Sequence, residues 1–252
     1  MFLESALIGS IRRGSFKFMS WHGYLKARNA LAGLIVAAFP ALLTAAGAGR
    51  DVVIEDWTRD AVGRRSIPSG WIGEAFGRRA DYDFTAEQQA DGRVLHLVSR
   101  NEHSTIAKDI TGKVNLKQTP ILEWSWKATI LPTGSDLRRK ETTDIAAQLY
   151  VIWPRFPGLL RSRIIGYVWD AATPATTIVK SQKTGTVTFI VMRSGAKDLG
   201  KWLTERRNVA DDYTKIFGEI PDEPKAITIS IDSNDTQTTA ESFMGPIVFR
   251  SQ

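Results

Sequence analysis

Cysteine is absent from the 252 residues, which removes disulfide staples, thiolate metal sites and cysteine nucleophiles together. Histidine is nearly as scarce, with only His96 and His103 beyond residue 48. No H-E-x-x-H helix and no G-x-S-x-G elbow accompanies them, so a structural or surface role is the expectation for both. The glycine loops that cradle phosphates are missing too, which argues against nucleotide chemistry. Strong charge of one sign is also lacking once the net +6 is located. Five basic residues and one acid precede Gly49, leaving 28 basic and 26 acidic residues for the rest. A domain this close to neutral has little electrostatic drive toward a phosphate backbone, and no nucleic-acid partner is expected.

Long apolar runs are absent with one exception. No charge stands between Asn29 and Gly49, Lys26 and Arg28 lie just before, and Ala46-Gly47-Ala48 closes the run with small residues. A positive segment, an apolar segment and an A-x-A exit predict a secretory signal over residues 1–48, cut after Ala48. Met19 begins a tidier leader, so residues 1–18 read as an upstream start-site extension. The alternative is an uncleaved inner-membrane anchor, because the run is roughly the ~20 residues that span a bilayer. Either way residues 49–252 are expected outside the cytoplasm, periplasmic or secreted, with membrane contact only through an uncleaved leader.

What the remainder does contain is short alternating runs separated by Gly, Pro, Asn and Asp. Strands are predicted over 52–57, 94–99, 104–110, 121–131, 145–153, 163–169, 186–193, 226–231 and 246–250. One helix is predicted, capped by Asn208, with an apolar stripe of Tyr213, Ile216 and Phe217 and a left-handed stop at Gly218. Many strands and one short helix mean an all-β protein, a β-sandwich or jelly roll forming one domain. In 121–131 the residues Leu122, Trp124, Trp126 and Ala128 alternate with polar ones, so the tryptophans face the core and Lys127 faces away.

Pro120-Ile-Leu-Glu-Trp124-Ser-Trp126-Lys127 resembles the P-x-L-x-W-x-W-K strand of a bacterial secreted family, domain of unknown function 3047. Other segments of that family follow in order: Lys140 to Asp144 leading into Ala147-Gln148-Leu149-Tyr150, Arg163 to Trp169, Gly200-Lys201-Trp202, Arg207-Asn208-Val209, Asp212-Tyr213, Phe217-Gly218, and the region 232–249. The resemblance covers most of the chain after residue 49 and implies an exported β-sandwich without assigning it an activity. The family pattern tends to Asp-Asp where Thr143-Asp144 stands, to Arg at Gln148 and to Asn at Gly166. A polar site built from those residues in relatives would be altered here.

Seven tryptophans lie beyond residue 48, and exported sandwiches stack sugar rings on such groups, whose apolar faces match the C–H face of a sugar. The expected platform is Tyr150 and Trp169, with Lys127, Asp144 and Gln148 supplying hydrogen bonds; packing is the competing role for both rings. Asp232, Asn234 and Asp235 gather oxygen donors in one loop, which suits calcium, and equally an Asn/Asp turn. Apart from calcium no cofactor is expected. The leading expectation is therefore an exported binding protein without catalytic residues, its ligand a glycan or cell-envelope component. The alternatives are a glycan hydrolase or lyase using carboxylates among Glu123, Asp144, Asp170 and Asp212, and an envelope scaffolding subunit with a protein partner.

Overall fold

The computed structural model describes residues 50–74 and 82–252; the leader, with its expected cleavage after Ala48, lies outside the described residues. Among the described residues thirteen strands form two sheets: β1 (Val52–Glu55), β2 (Ile72–Glu74), β3 (Asp83–Gln89), β4 (Gly92–Arg100), β5 (His103–Asp109), β6 (Ile121–Ile130), β7 (Ala147–Trp153), β8 (Arg163–Asp170), β9 (Ile178–Lys180), β10 (Val187–Ser194), β11 (Leu203–Asn208), β12 (Ala226–Asp232) and β13 (Thr239–Arg250). One sheet has six strands in the order β11-β6-β13-β4-β3, with β1 also paired to β13. The other has seven, in the order β2-β5-β12-β7-β8-β10-β9. Neighbours are antiparallel except β8 and β10. The fold is a β-sandwich.

Between the sheets lies one large apolar core holding six tryptophans: Trp57, Trp71, Trp124, Trp126, Trp153 and Trp169. β6 enters it as its alternation dictates, with Leu122, Trp124, Trp126 and Ala128 buried. The helix α1 (Val209–Phe217) follows β11. The Asn208 side chain accepts from the Ala210 and Asp211 amides, and Gly218 takes a left-handed φ of 72° at the other end.

Departures from the expected strands have local causes. β11 carries no apolar alternation because its inward positions are Glu205 and Arg207, each satisfied by a partner. Glu205 accepts from Arg193 and from the Trp126 indole, while Arg207 pairs with Asp212. β13 begins at Thr239 rather than at Pro246, because a bulge between Met244 and Ile247 carries the strand past the proline. Gly245 sits in that bulge against Ser125, where an added Cβ would lie 2.1 Å from the Ser125 hydroxyl oxygen.

β7 differs more. Every residue from Ala147 to Trp153 is buried, so the face expected to be wet is dry. A second apolar cluster coats the outer side of the seven-stranded sheet, formed by Ile152, Ile164, Val168, Val187, Phe189 and Val191 with the Tyr150 ring. Leu137 and Ile145, from the connection between β6 and β7, pack onto it. One sheet is therefore covered on both faces, and the other keeps its outer face for solvent. Among the described residues no helix is long and apolar enough to cross a membrane.

Candidate functional site

The free face belongs to the six-stranded sheet, and register alone assembles what lies on it. Phe243 of β13 is paired on one side with Lys127 of β6 and on the other with His96 of β4. All three side chains rise from the outer face. The imidazole stacks parallel to the Phe243 ring at 4.3 Å, and the Lys127 ammonium stands over that ring at 4.1 Å. Trp202, immediately before β11, lies 5.2 Å from the same ammonium and meets Phe243 edge-on at 6.4 Å.

The Trp202 indole N–H donates to Gln89 at 3.0 Å. Trp202 adjoins β11 and Gln89 ends β3, the first and last strands of the order. In a flat sheet strands four places apart are roughly 19 Å apart. The bond therefore requires the sheet to curl, with its outer face on the concave side. The result is a trough with an aromatic wall at Trp202 and a floor of Phe243, Lys127 and His96.

Polar groups line the His96 side. Its two ring nitrogens lie 2.9 Å from Glu87 and 2.8 Å from Glu241, so the imidazole stands between two carboxylates. Burial would raise the Glu241 carboxyl, but the Thr129 hydroxyl and His96 outweigh it and hold the group below the usual range. Sequence reasoning had placed Lys127 on this polar face but passed over Trp202, Phe243 and His96. The available signal was that Trp202 lies outside any apolar alternation, between Lys201 and a strand with charged inward positions.

Four of the other expected residues meet elsewhere, around the outer face of the seven-stranded sheet. Asp232 accepts from the Ile145 amide at 2.7 Å and the Gln148 amide at 2.8 Å, and its second oxygen lies 3.3 Å from His103. The Tyr150 hydroxyl donates to Gln148. Asp144 accepts from the Asp235 and Thr236 amides and the Thr236 hydroxyl. Burial and the nearby Asp232 push the Asp144 carboxyl above its ordinary value, and burial pushes the Tyr150 phenol well up. This is a cross-linked interior network. Tyr150 is 2% exposed, and the expected platform partner Trp169 is 1% exposed, facing the central core with its N–H on the Gly195 carbonyl. Neither ring presents a face to solvent, and Lys127 lies on the opposite sheet from both.

The loop with oxygen donors is tied down in the same way. Asp235 takes the Thr143 hydroxyl and pairs with Lys183, Asn234 leans on Asp235, and Asp232 is turned into the network just described. Among the described residues no three His, Asp or Glu groups converge as ion ligands. The four carboxylates named as catalytic alternatives each have partners of their own, Asp144 in the network above. Glu123 is held by Arg250 and Arg206, Asp212 by Arg207 and Tyr167, and Asp170 caps the turn at Ala172 and Thr173.

A sequence profile described as "Protein of unknown function (DUF3047)" matches residues 69–248. The chain belongs to this family. Comparison with curated proteins gives no match. Among solved structures this DUF3047 member is similar to a family 11 carbohydrate-binding module from Clostridium thermocellum, at 9% identity and a TM-score of 0.42, covering 80% of this chain and 95% of that one. It is also similar to the CBM22-1 xylan-binding domain of Paenibacillus barcinonensis Xyn10C, at 14% identity and TM-score 0.37, with 82% and 99% covered. A cellulase derived from Rhodothermus marinus Cel12A gives 13% identity and TM-score 0.40, with 79% and 98% covered.

Thr143, Gln148 and Gly166, which the resemblance set against other residues, each have close side-chain neighbours. Thr143 binds Asp235, Gln148 binds Asp232 and Tyr150, and Gly166 lies under the Tyr150 ring. A Cβ at residue 166 would come within 2.8 Å of that ring. In this chain the Tyr150 side chain takes up the space that a larger residue at 166 would need.

Proposed function

We propose that this chain is an exported glycan-binding protein whose binding surface is the trough of the six-stranded sheet. One observation carries the reading: of the seven tryptophans beyond residue 48, Trp202 alone is kept out of the core, half-buried on the concave face among hydrogen-bonding side chains. An indole held by Gln89 and Lys127 is pre-organised, so little conformational freedom is lost when a sugar ring settles on it. Gln89, Glu87 and Glu241 stand where sugar hydroxyls would need partners. Binding is favoured over cleavage because His96 occupies the space between the two carboxylates of the trough, where a glycosidic bond would have to pass. Export to the periplasm or beyond is supported by the charge and hydrophobicity pattern of residues 1–48.

Isothermal titration against a panel of soluble oligosaccharides tests the binding. Heat is expected for at least one class, and Trp202→Ala should weaken it at least tenfold, about 1.4 kcal/mol. Binding that survives Trp202→Ala unchanged would remove the trough from the proposal. N-terminal sequencing of protein recovered from the cell envelope should begin at Gly49; a start upstream of Ala48 would instead favour the retained anchor.

A further inference from the structure

We infer that the ligand of the trough is an acidic glycan, and that the Lys127 ammonium recognises its anionic group. This rests on the glycan reading above and adds the chemical class of the sugar. The Lys127 ammonium faces two aromatic rings, Phe243 at 4.1 Å and Trp202 at 5.2 Å. Among the described residues it forms no ion pair and donates no hydrogen bond to a side chain or carbonyl. An ammonium carries three donors and no acceptor. Those three N–H groups sit in the floor of a half-buried trough, served only by ring faces and solvent.

The contrast with the neighbouring charges is what gives this weight. Glu87 and Glu241 are both engaged by His96, and Glu241 also by Thr129. Glu123, on the same face, is engaged by Arg206 and Arg250. Lys127 is left as an uncompensated charge. The β6-β13-β4 order puts Phe243 between Lys127 and His96, and the two carboxylates of the trough are taken up by the imidazole rather than by the ammonium. A carboxylate or sulfate on a sugar stacked against Trp202 would reach the ammonium in partly dehydrated surroundings. A charge pair is stronger there than on open surface.

The test compares each acidic oligosaccharide with its own uncharged form, so ring stacking is held constant. Oligogalacturonate and oligomannuronate are titrated against their carboxyl methyl esters, and a sulfated oligosaccharide against its unsulfated parent. The carboxylate arms and the sulfate arm together identify which anion is used. At low salt at least one acid form should bind tenfold or more tighter than its neutral form. That ratio should shrink as salt rises and fall to within twofold in Lys127→Met, while Lys127→Arg retains it. Acid and neutral forms bound equally by the wild-type protein would overturn this inference and leave the glycan reading standing. Absence of binding by every form would overturn both. The wild-type ratio decides whether the ligand is acidic, and a ratio that persists in a folded Lys127→Met or Lys127→Gln protein would overturn the role of Lys127.

Discussion

Removing the ammonium of Lys108 should cost far more than removing any lysine at the surface. Lys108 and Glu55 form an ion pair at the edge of the central core, with the two residues 5% and 2% exposed. Glu55 also accepts from the Trp71 indole at 2.8 Å and from the Trp57 and Asp56 amides at 3.0 and 3.1 Å. It thereby fixes Trp57 in a left-handed backbone conformation, φ 61°, that a bulky residue rarely adopts unaided. Lys108→Met leaves the carboxylate with neutral donors and one exposed guanidinium, Arg59, at 3.6 Å. Breaking a buried pair by deleting one partner costs about 3 kcal/mol. For a domain of this size that is a fall in melting temperature of roughly 6–12 °C. Glu55→Gln should be similarly harmful, and the double variant should recover at least ~1 kcal/mol relative to the sum of the singles. Urea titration followed by tryptophan fluorescence measures all four corners of the cycle. A second signature follows from titration. Burial pushes Lys108 below the ordinary lysine range although Glu55 pulls the other way. The folded state then releases its proton before the unfolded state does, so this group makes stability rise with pH through that alkaline window. Loss of Glu55 should steepen the rise. A Lys108→Met protein within ~0.5 kcal/mol of wild type, or singles that simply add, would refute the reasoning.

Three further outcomes are expected. Gly166→Ala should destabilise by about 1–3 kcal/mol in denaturant titration, because its Cβ would press on the Tyr150 ring at 2.8 Å and Phe189 at 3.0 Å; an unchanged midpoint would mean the outer cluster is loosely packed. Asn208→Ala should cost about 1 kcal/mol by removing the acceptor for two amides of α1, while Asn208→Ser should recover most of it. In acid, Asp136 is held down to about 2 by its bonds from Arg138, so its contribution is present above the ordinary aspartate range and is lost as pH falls toward 2. Asp144, pushed up by burial, acts in the opposite sense, and protonating it relieves a buried charge. Thermal melts of Asp136→Asn should therefore show a shallower acid limb than wild type, and an unchanged limb would count against this assignment.

The sandwich was legible because alternation is a direct record of which side of a strand is wet. β6 shows this in full, and α1 was equally clear because Asn208 and Gly218 are terminal signals that need no tertiary context. The strands β2, β3, β9 and β11 escaped, and for β11 the reason is a hidden side that is not apolar. β11 buries Glu205 and turns Arg207 inward, and nothing in the chain announces that Arg193 and Asp212 will meet them. The binding face was harder still. Alternation places Lys127 on an outer face and does the same for Tyr150, but it cannot tell which outer face a loop will cover. Leu137, in an irregular connection, settles that for Tyr150 by packing on the far side of β7. Composition shows that tryptophans are abundant and says nothing about which one the core leaves over.

That last distinction can itself be measured, and it separates a ligand platform from a packing residue. Trp126 is fully enclosed between the sheets, so Trp126→Ala removes transfer energy and leaves a cavity, about 3–5 kcal/mol. Trp202 is only partly buried. Its ties within the fold are one hydrogen bond to Gln89, worth about 1 kcal/mol, a contact with the Lys127 ammonium worth ~0.5–1 kcal/mol, and an edge-on contact with Phe243 worth ~0.5–1.5 kcal/mol. Trp202→Ala should then cost about 2–3 kcal/mol, less than Trp126→Ala, while removing most of the affinity for a stacked sugar. A large aromatic ring contributing so little to stability needs another reason to stand on a concave polar face. If Trp202→Ala proves as destabilising as Trp126→Ala, the indole is a brace holding β3 to β11, and the trough loses its claim as a binding surface.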